Sequence, residues 1–173
     1  ADEEIIKIMK KSGCQFINYG IEQFDNHALR MMNKTITEDQ IIKGIEITQN
    51  AGIFVDFNII FGNVGDTRDS LKKSLELLNK YNDYSQLRVI RPVTPYPGSP
   101  LYDIALKKGL IKGPDDFYEK HKNLELLTVN FTEIPDDEFY RLMFDANKKI
   151  IQDYYCFKEN QALGNFKKVY FEK

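Results

Sequence analysis

Three apolar segments of this chain each run directly into a short polar loop, and that repeated pattern restricts the folds open to it. Ile53 to Phe61 passes through Gly62-Asn63-Val64-Gly65-Asp66-Thr67, a Gly-x-x-Gly turn, into a helical pattern. The two glycines let backbone amides approach a bound group closely. A helix after such a turn directs its unpaired N–H ends to the same place. The other two loops are Gly20-Ile21-Glu22, after the apolar Cys14 to Tyr19, and Thr94-Pro95-Tyr96-Pro97-Gly98-Ser99-Pro100, after Leu87 to Val93.

Helical patterns fill the intervals. Asp2 to Ser12 carries Ile5, Ile6 and Met9 on one face and stops at Gly13. Asp25 precedes a short helix from Asn26 to Met32. Thr37 and Gln40 form a capping-box pattern ahead of Ile41, Ile42, Ile45 and Thr48, and Gly52 ends that helix. Arg68 to Tyr81 places Leu71, Leu75 and Leu78 at helical spacing, with Asp66-Thr67 as its expected cap. Strands separated by helical crossovers predict a parallel sheet with right-handed connections.

Beyond the third loop, Leu101 to Lys108 reads as a helix and Gly113-Pro114 marks a boundary. Leu124 to Asn130 reads as a strand, and Asp136 to about Tyr155 as a long amphipathic helix with Phe139, Leu142, Met143, Ala146 and Ile150 on one face. From Cys156 onward the signals thin. The chain therefore divides into residues 1–112 and a C-terminal helical extension over residues 113–173.

At 173 residues, 42% apolar and 13% aromatic, the chain is long enough to bury one real core. A net charge of -2 gives no basic field and argues against nucleic acid as a partner. No apolar run suggests a membrane span or signal, and two cysteines without a disulfide framework suit a reducing cytoplasm.

The three loops, in this order and spacing, resemble the C-terminal half of a radical S-adenosylmethionine (SAM) barrel. The resemblance is closest to the group that pairs this barrel with a cobalamin-binding domain. It runs from near Ile5 to near Ile111 through Lys10-Lys11-Ser12-Gly13-Cys14, Gly20-Ile21-Glu22, Met32-Asn33-Lys34, Asn50-Ala51-Gly52-Ile53, the Gly62 to Thr67 turn and Pro95-Tyr96-Pro97-Gly98-Ser99-Pro100-Leu101-Tyr102. It implies a partial TIM-type (β/α) barrel of about three parallel strands with outer helices. The implied cofactors are SAM and a [4Fe–4S] cluster, with cobalamin as a further one. The implied activity is radical-based methylation, methylthiolation or oxidative cyclisation of a small-molecule substrate.

One departure qualifies this. The family holds its cluster with a Cys-x-x-x-Cys-x-x-Cys loop, whereas Cys14 and Cys156 lie far apart. The chain is thus expected to be the later part of a longer enzyme, inactive alone, with the missing N-terminal part as its partner. The alternative is a non-catalytic partial-barrel module for binding or assembly.

Ligands of such sheets sit at the carboxyl ends of the strands. Glu22, placed there, is either a solvated glutamate or a ligand group, and the resemblance implies a ribose contact. Asp56 and Asn58 interrupt an apolar strand on one face with Ile60, so they face a polar lumen or water. The resemblance assigns Asn58 to the ribose, Ile60 to the adenine ring and the backbone at Val93 to the adenine edge. Lys34 either complements a helix dipole or, by resemblance, the SAM carboxylate. Arg91 shares a strand face with Val93, points toward substrate or a carboxylate, and as a buried guanidinium would need a partner. His27 and His121 are isolated, so no metal site is expected. Truncated strand edges at Cys14 to Tyr19 and Leu87 to Val93, with Phe16, Val89 and Ile90 exposed, predict self-association as a dimer.

Overall fold

The computed structural model describes residues 1–120 and 129–172. Its elements run in chain order as α1 (Glu3–Lys11), β1 (Phe16–Glu22), α2 (Asn26–Met31), α3 (Glu38–Asn50), β2 (Phe54–Phe61), α4 (Arg68–Tyr81), β3 (Ile90–Pro92), α5 (Pro100–Lys107), α6 (Pro114–Lys120) and α7 (Asp136–Phe171). The three strands are parallel and adjacent in the order β1-β2-β3. This is the α/β architecture of a partial TIM-type barrel followed by a long C-terminal helix.

The central strand shows why the sheet has two unlike faces. Successive residues of a strand point to opposite sides, and in β2 Val55, Phe57, Ile59 and Phe61 are buried while Phe54, Asp56, Asn58 and Ile60 are not. The buried set packs with Leu29, Ile41 and Ile45 of α2 and α3 and with Leu71, Leu77 and Leu78 of α4. The helix starts are fixed locally. Asp25 accepts the N–H groups of His27 and Ala28, and the Thr37–Gln40 and Thr67–Ser70 capping boxes both close.

Several boundaries differ from the sequence expectation. β1 starts at Phe16 and continues through Gly20 to Glu22, because its register with β2 shifts between Tyr19 and Glu22 instead of ending. β3 is only three residues long, from Ile90 to Pro92, where the proline removes a ladder donor. Val93 extends the pairing by donating its N–H to Phe61 O at 3.1 Å. The Gly113-Pro114 boundary opens a short helix, α6, with proline in its first turn. Of the strand expected at Leu124 to Asn130, residues 124–128 lie outside the described residues, as does His121, while Val129 and Asn130 are irregular.

The largest difference is α7, which runs 36 residues to Phe171 and not to Tyr155. Its later part has no proline and only one glycine, Gly164, so nothing stops it although its apolar stripe fades. The first half packs on the sheet through Phe139, Met143, Ala146 and Ile150. Phe139 stacks on Phe61 with ring centroids 5.4 Å apart. Asn147 meets the outer edge of β3: Ile90 N donates to its Oδ1 at 2.8 Å, and its Nδ2 donates to Ile90 O at 3.0 Å. The edge expected to be open at Leu87 to Val93 is therefore occupied at Ile90, because the C-terminal helix folds back over it. A second apolar cluster, of Val93, Tyr102, Ala105, Ile111, Phe117, Val129 and Phe131, closes the carboxyl end of β3. No helix among the described residues is long and apolar enough to cross a membrane.

Candidate functional site

The carboxyl end of β1 brings together two of the polar residues singled out by sequence, Glu22 and Lys34. Glu22 ends β1 with φ +67°, a left-handed conformation uncommon for a residue with a side chain. Lys34 Nζ lies 2.9 Å from Glu22 Oε2 and also donates to Gly20 O at 3.0 Å. Both side chains are 30% exposed. An ion pair this open contributes at most about 1 kcal/mol, so an incoming carboxylate or hydroxyl can exchange for one of its members.

Asn58 lies on the inner face of β2, partly open, and its side chain makes no hydrogen bond among the described residues. Ile60, next on that face, is in register with Arg91 of β3 and packs on the second cluster. Val93 spends its N–H on Phe61 O. A backbone contact from this residue to an adenine edge therefore falls to its carbonyl. Arg91 is exposed, so its guanidinium is hydrated and needs no protein partner. The buried guanidinium belongs instead to Arg88, whose side chain is 2% exposed.

Arg88 redirects Asp56. Its Nε lies 3.0 Å from Asp56 Oδ1, its Nη1 donates to Asn82 Oδ1 at 2.6 Å, and its Nη2 reaches Asp83 Oδ1 at 2.9 Å and the carbonyl of Val55. Asp56, expected to face a polar lumen or water, thus neutralises a buried arginine. Burial would raise the Asp83 carboxyl, but the Ser85 N–H and hydroxyl and the Arg88 guanidinium outweigh it and hold Asp83 below its ordinary value.

The Gly-x-x-Gly turn is also built differently from its expectation. Thr67 alone caps α4; Asp66 turns inward, 3% exposed, and accepts the N–H groups of Gly62 and Asn63 on Oδ2, both at 2.9 Å. The turn amides expected to meet a bound group are therefore already filled by the chain's own carboxylate. Oδ1 of Asp66 accepts from Gln23 Nε2 at 2.6 Å. Burial pushes the Asp66 carboxyl up to about 6, against the opposing effect of these donors. Gly62 and Gly65 have no room for a side chain: a Cβ would lie 2.9 Å from the Phe139 ring and 2.7 Å from Met31 respectively.

Sequence reasoning missed Gln23, Arg88 and Asn147, since nothing local marks them. Asp66 did leave a signal, because an aspartate just after a tight turn commonly accepts local backbone amides. A groove of about 630 Å³ lies beside β1 and α3, lined among others by Tyr19, Ile21, Ile36, Ile41 and Gly44. None of its lining residues belongs to β2, so Asn58 is not part of it.

A [4Fe–4S] cluster does not fit these residues. Cys14 donates its Sγ to Phe16 O at 3.4 Å and Cys156 is exposed on α7. No group of three metal-binding side chains occurs among the described residues.

Three adjacent parallel strands with helical crossovers define an α/β protein of the partial TIM-barrel class. Comparison with known proteins narrows it. Residues 1–78 match the family described as the Radical SAM superfamily. An uncharacterised methyltransferase of Pyrococcus horikoshii is 29% identical over 111 residues, 64% of this chain and 24% of its own length. The bacteriochlorophyllide d C-8(2)-methyltransferase of Chlorobaculum tepidum is 26% identical over 163 residues, 91% of this chain and 34% of that protein. The anaerobic magnesium-protoporphyrin IX monomethyl ester cyclase of Rubrivivax gelatinosus is 26% identical over 102 residues, 58% of this chain and 18% of that protein. Over these stretches the chain is similar to radical SAM proteins, and it spans about a third or less of the length of these relatives.

Proposed function

We propose that this chain forms the SAM-holding part of a radical SAM enzyme that transfers a methyl group. The carrying observation is the exposed Glu22–Lys34 pair at the end of β1, with the unpaired Asn58 on the open face of the neighbouring strand β2. Asn58 and Glu22 bind the ribose hydroxyls, Lys34 leaves its weak pair to meet the methionyl carboxylate, and Ile60 packs against adenine with the Val93 carbonyl at its edge. SAM supplies the transferable group, and the protein's part is to bind, orient and enclose it. Methyl transfer leads because two of the relatives above are named methyltransferases. The cyclase among them supports oxidative ring closure as the second reading.

On this reading the cluster ligands, and any cobalamin, belong to residues outside this chain, and the chain alone is inactive. Its two widely separated cysteines support that. Calorimetric titration of SAM into the full-length enzyme tests the site. Asn58→Ala and Glu22→Ala should each weaken SAM about tenfold to a hundredfold, the loss expected for one buried or charge-assisted hydrogen bond. Wild-type affinity in both variants would remove the assignment.

The partner expected to cover the inner sheet face is the N-terminal part of the same enzyme. In its absence Phe16, Phe54 and Val89, which are 45%, 52% and 36% exposed, favour self-association. Sedimentation at micromolar concentration should show a dimer, and a clean monomer would count against it.

A further inference from the structure

We propose that Gln23 and Asp66 are a pair of positioning residues that lock the end of β1 to the turn after β2, and so hold the SAM-binding groups in register. The role rests on the function proposed above, but the contact itself does not. Gln23 follows Glu22 directly and is 0% exposed. Its Nε2 donates to Asp66 Oδ1, while its Oε1 accepts from Phe24 N at 2.8 Å and from the Ser74 hydroxyl of α4. Asp66 in turn holds Gly62 and Asn63 through Oδ2. One continuous chain of hydrogen bonds therefore runs from α4 through the residue after Glu22 to the residue after Phe61.

Polarity makes this chain directional. The turn presents two N–H donors and Gln23 a third, so residue 66 must accept on both sides, which only a carboxylate does. Asp66→Asn keeps the shape but sets one NH₂ against a donor. If the new amide serves the turn with its oxygen, its NH₂ faces Gln23 Nε2. Turning Gln23 over would relieve that contact but set its NH₂ against Phe24 N, leaving that amide only its longer bond to Ser74 Oγ at 3.3 Å. Gln23→Glu combined with Asp66→Asn reverses the polarity of the central bond and satisfies every member again, with the single negative charge moved by one side chain.

This pair of variants gives the test. In the full-length protein, amide hydrogen exchange at Gly62 and Asn63 reads the lock, and calorimetric titration with SAM reads its effect on the site. Asp66→Asn should speed exchange at both amides and weaken SAM roughly tenfold, the effect of one unsatisfied buried group. The double variant should restore both. Unchanged exchange in Asp66→Asn, or a double variant no better than the single, would overturn the lock. If Asp66→Asn does not fold, recovery of folding in the double variant supports the pairing and continued failure overturns it. Exchange that follows the pairing while SAM affinity stays constant would overturn the positioning role. A wild-type protein that fails to bind SAM would instead sink the function proposed above.

Discussion

On the helix-covered face of β2, Val55, Phe57, Ile59 and Phe61 are 0% to 2% exposed, whereas Phe54, Asp56, Asn58 and Ile60 on the other face stay open or half-open. The same strand thus serves two ends. The covered face has apolar side chains from four helices, α2, α3, α4 and α7, against it and carries stability. The open face has few partners, so its side chains are available to a ligand at little cost to the fold. Asp56 shows the boundary between the two: it sits on the open face yet belongs to the structure, because Arg88 reaches it from the side.

Phe61→Ala should breach this division most. It empties a fully buried site stacked on Phe139 and should lower unfolding stability by about 3 to 5 kcal/mol in chemical denaturation. A smaller loss there would mean that α7 does not close the core as firmly as the stacking indicates.

Asp66 probes the turn that joins the faces. Its folded pKa of about 6 lies above the ordinary aspartate value of 3.8, so the folded state binds a proton more tightly than the unfolded chain. Its contribution to stability therefore increases as pH falls from about 6 toward 4 and is lost as pH rises back through that range. The change is bounded by about 3 kcal/mol, at 1.36 kcal/mol per unit. Denaturation of wild type and Asp66→Asn at pH 7 and pH 4 isolates this from the other carboxylates. The wild type should gain on the variant in acid, and a constant difference would contradict the buried, ionised state.

Arg88→Met tests whether Asp56 is structural. It leaves two largely buried carboxylates, Asp56 and Asp83, without their cation and should cost about 2 kcal/mol. A matching Asp56→Asn in the same background should then cost little more, as a double-mutant cycle would show. The smallest effect belongs to Asn58→Ala, which should change stability by less than about 0.5 kcal/mol, as expected for a side chain outside the packed core. A larger loss would place Asn58 with the covered face and weaken its assignment to a ligand.

The covered face was legible in the sequence because it is written in local patterns. Leu71, Leu75 and Leu78 recur at helical spacing, Thr37 and Gln40 announce a cap, and β2 alternates. Glu22 is placed by its strand end, and Lys34, singled out only through the resemblance, is found paired with it. The residues that fix the site's shape were not legible. Gln23 finds Asp66 across 43 positions, Arg88 finds Asp56 across 32, and Asn147 finds Ile90 across 57. Such pairs exist only once the crossovers have formed, and no periodicity encodes them. Arg91 illustrates the reverse error. A charged residue in an apolar run looked buried, but the run alternates and Arg91 falls on the open side.

The Asn147 amide also acts as an index mark for α7. A helix packed through apolar side chains alone can slip, since one stripe of hydrophobic residues fits a groove at several settings. Advancing α7 by one residue would move Asn147 about 1.5 Å along the axis and turn it by about 100°, enough to break both bonds to Ile90. Slippage by a full turn would bring a different side chain opposite the strand, Met143 or Ile151, and neither can serve a peptide N–H and C=O. One side chain thus sets the phase of a 36-residue helix against the sheet, and with it the bearing of the long stretch beyond Ile150 that extends past the core.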